Sequence, residues 1–186
     1  MTEADLDKQC GFLKDSDECL RNYTANCNTP LQEDLIDMFR ENSPRYIKEY
    51  CTRGSPLREA NKKYATCVRD ATRDGGHKTC IKDMQVGFEV ITTVEWQDRL
   101  SAACCTYDRT KMCMEKLIEE KCGSDAVDFM RTQLRQALSR MPEIMCNDYK
   151  SDSESCKSLL PPPGSELKNS KSKSVLTRLF GAATGL

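Results

Sequence analysis

The residues with the most distinctive chemistry in this sequence are its twelve cysteines. A thiol can form a disulfide, bind a metal or act as a nucleophile. Zinc sites usually have ligands about two to four residues apart, often with histidines, but here there is no CxxC pair and His77 is the single histidine. Twelve cysteines spread along a polar chain instead favour a disulfide framework formed in an oxidising compartment. We predict disulfides at all of them: Cys10, Cys19, Cys27, Cys51, Cys67, Cys80, Cys104, Cys105, Cys113, Cys122, Cys146 and Cys156.

Other catalytic or cofactor-binding patterns are missing from the sequence. One histidine leaves little room for Cys–His or Ser–His catalysis, and there is no GxSxG, P-loop or GxGxxG motif. The acid pair Glu119-Glu120 lies among lysines, which is typical of a solvated helix face. We therefore predict no catalytic, cofactor-binding or metal-binding residues and no cofactor, and we expect a non-enzymatic protein. An enzyme remains an alternative.

The spacing of the cysteines repeats along the chain. Three intervals span 24 residues each: Cys27 to Cys51, Cys80 to Cys104, and Cys122 to Cys146. Two further intervals span 17 residues each: Cys10 to Cys27, and Cys105 to Cys122. These equal spacings predict three repeat units, at about 10–51, 67–104 and 105–146.

The adjacent cysteines Cys104 and Cys105 would lie where the second repeat ends and the third begins. Neighbouring side chains on a helix point about 100° apart, so we expect the two cysteines to bond to different partners. Equal spacing within the first and third repeats predicts the pairs Cys10–Cys51 and Cys105–Cys146. The partner of Cys104 stays open among three candidates: Cys67, Cys80 and Cys156.

Apolar residues in the long intervals recur every three or four positions, which indicates amphipathic helices. Thr29 and Pro30 form a helix start, Pro44 is expected to kink or restart that helix, and Ser124 is a candidate N-cap. Trp96 is expected in the core, as are three methionines, Met130, Met141 and Met145. The predicted fold is all-α, with three disulfide-stapled helical hairpin repeats and a flexible C-terminal tail.

The chain divides by composition into two regions. Residues 1–160 form the predicted disulfide-rich helical domain, and residues 161–186 form a tail rich in proline, serine and lysine. Near its end this tail has apolar residues on one potential helical face, at Val175, Leu176, Leu179 and Phe180. It is either disordered or a docking peptide for the body of the chain or for a partner.

Three features bear on localisation. The first residues, "MTEADLDKQC", have neither the basic nor the apolar region of a signal peptide, so we expect a truncated chain in which Met1 is an internal methionine of a longer precursor. Asn22-Tyr23-Thr24 matches the N-x-[ST] sequon, which makes Asn22 a candidate glycosylation site. The apolar stretch "VGFEVITTV" is too short to span a membrane.

Several short motifs carry a resemblance to a known group of proteins. The stretches "CLRNYTANCNTPLQ", "ACCTYDR", "EKCGSDAVDFM", "LLPPPGS" and "SVLTRLF" resemble secreted, cysteine-rich arthropod proteins of uncharacterised function, which are distantly similar to the haemolymph glycoprotein family of insects. The resemblance covers most of the chain. It implies secretion and a helical, disulfide-linked fold, and it assigns no catalytic or binding residue to any position of this chain.

Together these features predict a secreted, non-enzymatic binding or structural protein whose specific role and extracellular partner are unknown. The net charge of −1 gives no reason to expect a nucleic-acid partner. The alternative is a carrier of a small apolar ligand in extracellular fluid. An internal pocket of several hundred Å³ would favour the carrier, and an exposed apolar patch would favour a protein partner.

Overall fold

The structure is a computed structural model that describes residues 1–73 and 76–166, apart from the side chains at positions 35, 39, 73, 76, 77, 137 and 138. Every regular element in these residues is a helix, which confirms the all-α class. The α-helices are α1 (Glu3–Cys27), α2 (Pro30–Arg40), α3 (Ser43–Cys51), α4 (Pro56–Arg73), α5 (Gly76–Thr93), α6 (Arg99–Cys122), α7 (Ser124–Leu138), α8 (Met141–Met145) and α9 (Glu154–Leu159). The predicted apolar face from Val175 to Phe180 lies outside the described residues.

The start of α2 forms as the sequence predicts. Thr29 is the N-cap, and its hydroxyl accepts from the backbone N–H of Gln32, whose side chain accepts in turn from Thr29. Pro30 occupies the first turn, where a missing N–H costs nothing. Pro44 is in the first turn of α3, so the predicted restart of the helix is confirmed.

The chain forms two compact units. Unit 1 contains residues 1–70 and 122–141, and unit 2 contains residues 71–121 and those from Pro142 onward. All five disulfides join residues of the same unit: Cys10–Cys51 and Cys67–Cys122 in unit 1, and Cys80–Cys113, Cys104–Cys146 and Cys105–Cys156 in unit 2. The arrangement in three hairpin repeats is not confirmed.

The core of unit 1 forms where α1 packs on α3. Leu6, Cys10, Tyr50 and Leu57 are buried together in one apolar cluster. The predicted Cys10–Cys51 disulfide is confirmed, with a Cα–Cα distance of 5.4 Å. It joins the two helices at this cluster.

The adjacent cysteines have different partners, as predicted, but not the predicted ones. Cys104 bonds to Cys146 and Cys105 bonds to Cys156, so the prediction of Cys105–Cys146 is wrong. The physical reason is that both cysteines lie inside one continuous helix, α6, and no repeat boundary separates them. The equal spacing of Cys10 and Cys105 therefore does not reflect equivalent positions in the fold.

Two further cysteines depart from the prediction. Cys19 and Cys27 are free and exposed on α1, so the prediction of a disulfide at every cysteine is wrong within this chain. Eight residues on a helix span about 12 Å. A disulfide needs Cα atoms within about 7 Å, so these two cannot bond to each other. The other ten cysteines, all in described residues, already have partners.

The first residues of the predicted tail are fixed to unit 2. Leu160 is buried with Cys105 and Cys156, and the Arg109 guanidinium donates to the carbonyl of Pro161 at 2.7 Å. The N–H of Gly164 donates to the buried carboxylate of Asp83, also at 2.7 Å. The structure thus places residues 161–164 against the body, where the sequence predicted the start of a flexible tail.

Three smaller predictions are wrong, and the first is the core position of Met145, which is 45% exposed in the short helix α8. Trp96 is 81% exposed instead of buried, because α5 ends at Thr93 and Trp96 belongs to a short 3-10 turn before α6. The N-cap of α7 is Gly123, which has a φ of 82°, and Ser124 is the first helical residue. Glycine adopts such a positive φ without the strain that a Cβ would add.

Candidate functional site

A surface groove in unit 1 is the strongest candidate for a functional site. We call it the acidic groove, and its volume is about 330 Å³. Its lining residues belong to α3, α4 and α7: Glu49, Pro56, Leu57, Ala60, Tyr64, Asp125, Asp128, Phe129, Thr132, Gln133 and Gln136.

Helical spacing explains why these side chains meet. The lining residues of α7 recur every three or four positions from 125 to 136, so they share one face of that helix. Leu57, Ala60 and Tyr64 do the same on α4. The Cys67–Cys122 disulfide, with a Cα–Cα distance of 6.0 Å, lies one turn beyond Tyr64 on α4 and just before α7. It holds the two lining helices together near one end of the groove.

Two aromatic rings form one wall of the groove. The rings of Tyr64 and Phe129 are 5.6 Å apart between centroids. The Tyr64 hydroxyl donates to the Asp125 carboxylate at 3.3 Å, and the ammonium of Lys63 lies 4.6 Å from the Tyr64 ring centroid. The hydrogen bond holds the Asp125 carboxylate at the hydroxyl edge of the Tyr64 ring, and Lys63 shows that a cation can lie over the same ring.

The charged lining residues are all acidic. Glu49, Asp125 and Asp128 contribute three carboxylates, and none of the described lining residues is basic. Arg131 pairs with Asp128 at 3.2 Å, but both side chains are well exposed, so water and salt weaken this pair. The lining residues by themselves therefore carry negative charge, with the exposed ammonium of Lys63 and guanidinium of Arg131 as the nearby positive groups.

Two amide groups in the groove have unmet hydrogen-bonding capacity. Nε2 of Gln133 and Oε1 of Gln136 are buried atoms without a hydrogen-bond partner among the described residues. Oε1 of Gln133 accepts from the Tyr46 hydroxyl at 2.5 Å. An unpartnered buried polar atom costs about 1–3 kcal/mol, so these two amides lower the stability of the groove wall.

Burial also acts on the tyrosine next to these amides. It raises the pKa of Tyr46 to about 12, so this side chain is a neutral hydrogen-bond donor at physiological pH. Tyr50 stacks at 5.9 Å between ring centroids, and burial raises its pKa as well. The hydroxyl of Tyr46 thus holds the Gln133 side chain in one orientation.

A second cluster in unit 1 centres on Arg58, whose side chain is fully buried. Its guanidinium pairs with Glu3 at 2.8 Å and also with Asp7. Hydrogen bonds from Arg58, and then from Lys62, lower the pKa of the Glu3 carboxyl. Hydrogen bonds from Arg53, and then from Arg58, lower the pKa of the Asp7 carboxyl. With its charge matched by these carboxylates, the cluster joins α1 to α4 and does not form a ligand site.

The predicted glycosylation site lies on α1. Asn22 is exposed, but it is in the middle of the helix, and Thr24 of the same sequon is buried with its hydroxyl bonded to the Arg21 carbonyl. A sugar would have to be added before this helix folds. Glycosylation of Asn22 stays a prediction.

The sequence reasoning did not identify the acidic groove. The sequence pattern that could have indicated it is the spacing of Asp125, Asp128, Phe129 and Thr132, which places polar residues and an aromatic residue on one helical face. That pattern could be read as an ordinary amphipathic helix, because the sequence does not show which helix lies opposite α7.

Comparison with known proteins gives a family but no activity. In the part of the chain that the structure describes, no cluster of three or more His, Cys, Asp or Glu side chains has metal-site geometry, and no helix is long and apolar enough to cross a membrane. No curated protein and no solved structure matches the sequence. A family model described as a domain of unknown function, DUF19, matches residues 1–157. The chain therefore belongs to the DUF19 family, a cysteine-rich family of uncharacterised function.

Proposed function

We propose that this protein is a secreted, non-enzymatic binding protein whose acidic groove takes a ligand with an apolar body and a positively charged group. The five disulfides support an extracellular location, since such bonds persist in oxidising compartments. A binding role fits a sequence with one histidine and no catalytic motif.

The observation that carries the ligand class is the lining of the groove. Apolar atoms of Pro56, Leu57 and Phe129 offer a surface for an apolar body, and Asp125 lies beside the Tyr64 ring. A ligand cation placed there would meet the Asp125 carboxylate and the Tyr64 ring by displacing the exposed Lys63 ammonium from that ring. The groove has room for a ligand of small organic size, since binding sites of this kind begin at about 300 Å³.

Three indole compounds that differ in charge would test the proposal. Tryptamine is a cation, 3-methylindole is neutral, and indole-3-propionate is an anion. We expect calorimetry on the oxidised full chain to detect tryptamine binding and little or no binding of the anion. An affinity for 3-methylindole equal to that for tryptamine would instead favour the carrier of a small apolar ligand.

Matched variants locate the binding. Asp125→Asn removes the carboxylate beside the aromatic wall and should weaken tryptamine binding by about five- to tenfold, which corresponds to about 1 kcal/mol or slightly more. Glu119→Gln removes an exposed carboxylate from α6, in unit 2, and should leave the affinity unchanged. Equal losses in both variants would place the binding elsewhere and contradict the groove proposal.

A further inference from the structure

An exposed row of side chains on α1 points to an interface between two copies of this chain. Cys19, Tyr23 and Cys27 are spaced four residues apart, so they form a single ridge along the helix. Both cysteines are free and exposed, and Tyr23 is 57% exposed. The apolar side chain of Phe12 is 59% exposed near the same stripe. The buried residues of α1, namely Leu6, Cys10 and Thr24, lie on another face.

The two thiols have no partner inside the chain. Ten of the twelve cysteines are already paired, and Cys19 and Cys27 are about 12 Å apart on their common helix. A disulfide at either position must therefore come from a cysteine outside residues 1–186, and a second copy of this chain supplies two such cysteines at matching spacing.

We propose that two copies of this chain pair through their α1 helices, antiparallel, with Cys19 of each copy bonded to Cys27 of the other. A two-fold axis beside Tyr23 places every cysteine of one row opposite a cysteine of the second row, because Tyr23 is equally far from both. Ridges formed by residues four positions apart pack side by side when the two helix axes cross at about 50° and lie about 8–10 Å apart. The interface is isologous, as in most dimers.

Each bond forms by thiol–disulfide exchange with a small disulfide of the glutathione class. The Cys19 thiolate attacks one sulfur of the small disulfide and releases one small thiolate. The second copy's Cys27 thiolate then attacks the Cys19 sulfur of the mixed disulfide and releases the other. Two electrons pass from the two protein thiols to the small disulfide, and the two thiol protons end on the two released small thiols.

Single-cysteine variants of the full chain test this pairing. In a glutathione redox buffer, the wild type should form a covalent dimer on a non-reducing gel. Trypsin cleaves after Arg21, so mass spectrometry should find the Cys19 and Cys27 peptides linked in that dimer. Cys19→Ser and Cys27→Ser should each stay monomeric alone, but an equimolar mixture of the two should form a dimer with one bond.

Other outcomes would overturn the proposal. A covalent dimer from either variant alone would show parallel or random pairing. A wild-type monomer whose two thiols are alkylated or carry glutathione would show that no dimer forms. As a check on the helix face, Tyr23→Glu should lower dimer yield on the order of tenfold. Ala25→Glu, about 200° around the same helix, should leave the yield unchanged.

Discussion

Arg58 and Glu3 are 55 positions apart in the sequence, yet the Arg58 guanidinium donates to one Glu3 carboxylate oxygen from Nη2 at 2.8 Å and from Nε at 3.0 Å. Asp7 accepts from the same guanidinium. The cation is buried, whereas both carboxylates reach solvent. The charge of Arg58 therefore depends on these two partners for its stability.

This dependence predicts an order of stability among variants. Glu3→Gln/Asp7→Asn leaves a buried charge without a counter-charge, which is strongly unfavourable. Adding Arg58→Met removes that charge and keeps most of the buried volume. We expect urea unfolding to show that the triple variant is more stable than the double variant. The reverse order would mean that Arg58 retains enough water or other acceptors on its own.

The same carboxylates predict acid sensitivity. The pKa values of Glu3, Asp5 and Asp7 are lowered in the fold from ordinary values of 4.5, 3.8 and 3.8. A lowered pKa contributes stability above the ordinary value, and this contribution is lost as the pH falls through the folded value. We expect the free energy of unfolding to decrease below about pH 4.5. In Glu3→Gln/Asp7→Asn the decrease between pH 5 and 2 should be smaller than in the wild type.

Tyr46 predicts the opposite behaviour in alkali. Its raised pKa, about 12 against an ordinary 10.0, means that the folded chain holds this proton more tightly than the unfolded chain. The resulting stability is complete below pH 10 and is lost between pH 10 and about 12. Absorbance at 295 nm should show one tyrosine fewer titrating at high pH in Tyr46→Phe. A wild-type chain whose tyrosines all titrate near pH 10 would contradict the burial of Tyr46.

Gly87 on α5 lies directly against Thr106 on α6, and a Cβ at residue 87 would overlap the Thr106 hydroxyl, methyl group and Cβ. We expect Gly87→Ala to lower stability by about 1–3 kcal/mol, as overpacking does. The matched control is Gly11→Ala on α1, where a Cβ meets nothing within 4 Å. There alanine should stabilise the helix by about 0.5–1 kcal/mol. Denaturant midpoints of the two variants should therefore move in opposite directions.

The Cys105–Cys156 disulfide predicts a local effect in unit 2. Both sulfurs are buried with Leu160, at the segment that leads to Pro161 and Gly164. The double variant Cys105→Ala/Cys156→Ala should lower the free energy of unfolding by about 2–5 kcal/mol. Hydrogen exchange should show lost protection in α9 and at the Gly164 amide. Cys10→Ala/Cys51→Ala is the control, and its effect should fall on α1 and α3 instead.

Local signals in the sequence predicted much of the helical structure. Thr29, Pro30 and Pro44 act through backbone geometry within a few residues, so the start of α2 and the break before α3 could be predicted. The Cys10–Cys51 pair also followed from spacing, because the short helices α2 and α3 turn back onto the long helix α1.

Long-range packing explains what the sequence did not show. Nothing near Cys104 and Cys105 ends a helix, and the choice between Cys146 and Cys156 depends on where α8 and α9 pack. The exposure of Trp96 depends in the same way on the end of α5 at Thr93. The acidic groove needs α4 and α7 as neighbours. In the sequence, 50 residues separate the last residue of α4, Arg73, from the first residue of α7, Ser124.

The order in which the chain is synthesised gives the adjacent cysteines a further consequence. Cys104 and Cys105 leave the ribosome together, and their partners follow 42 and 51 residues later. Cys146 becomes available first and meets two neighbouring thiols of which only one is its native partner. We therefore expect the exchanged isomer, Cys105–Cys146 with Cys104–Cys156, to form as a misbridged folding intermediate. Efficient folding of this protein in cells should depend on a disulfide isomerase that reshuffles these two bonds.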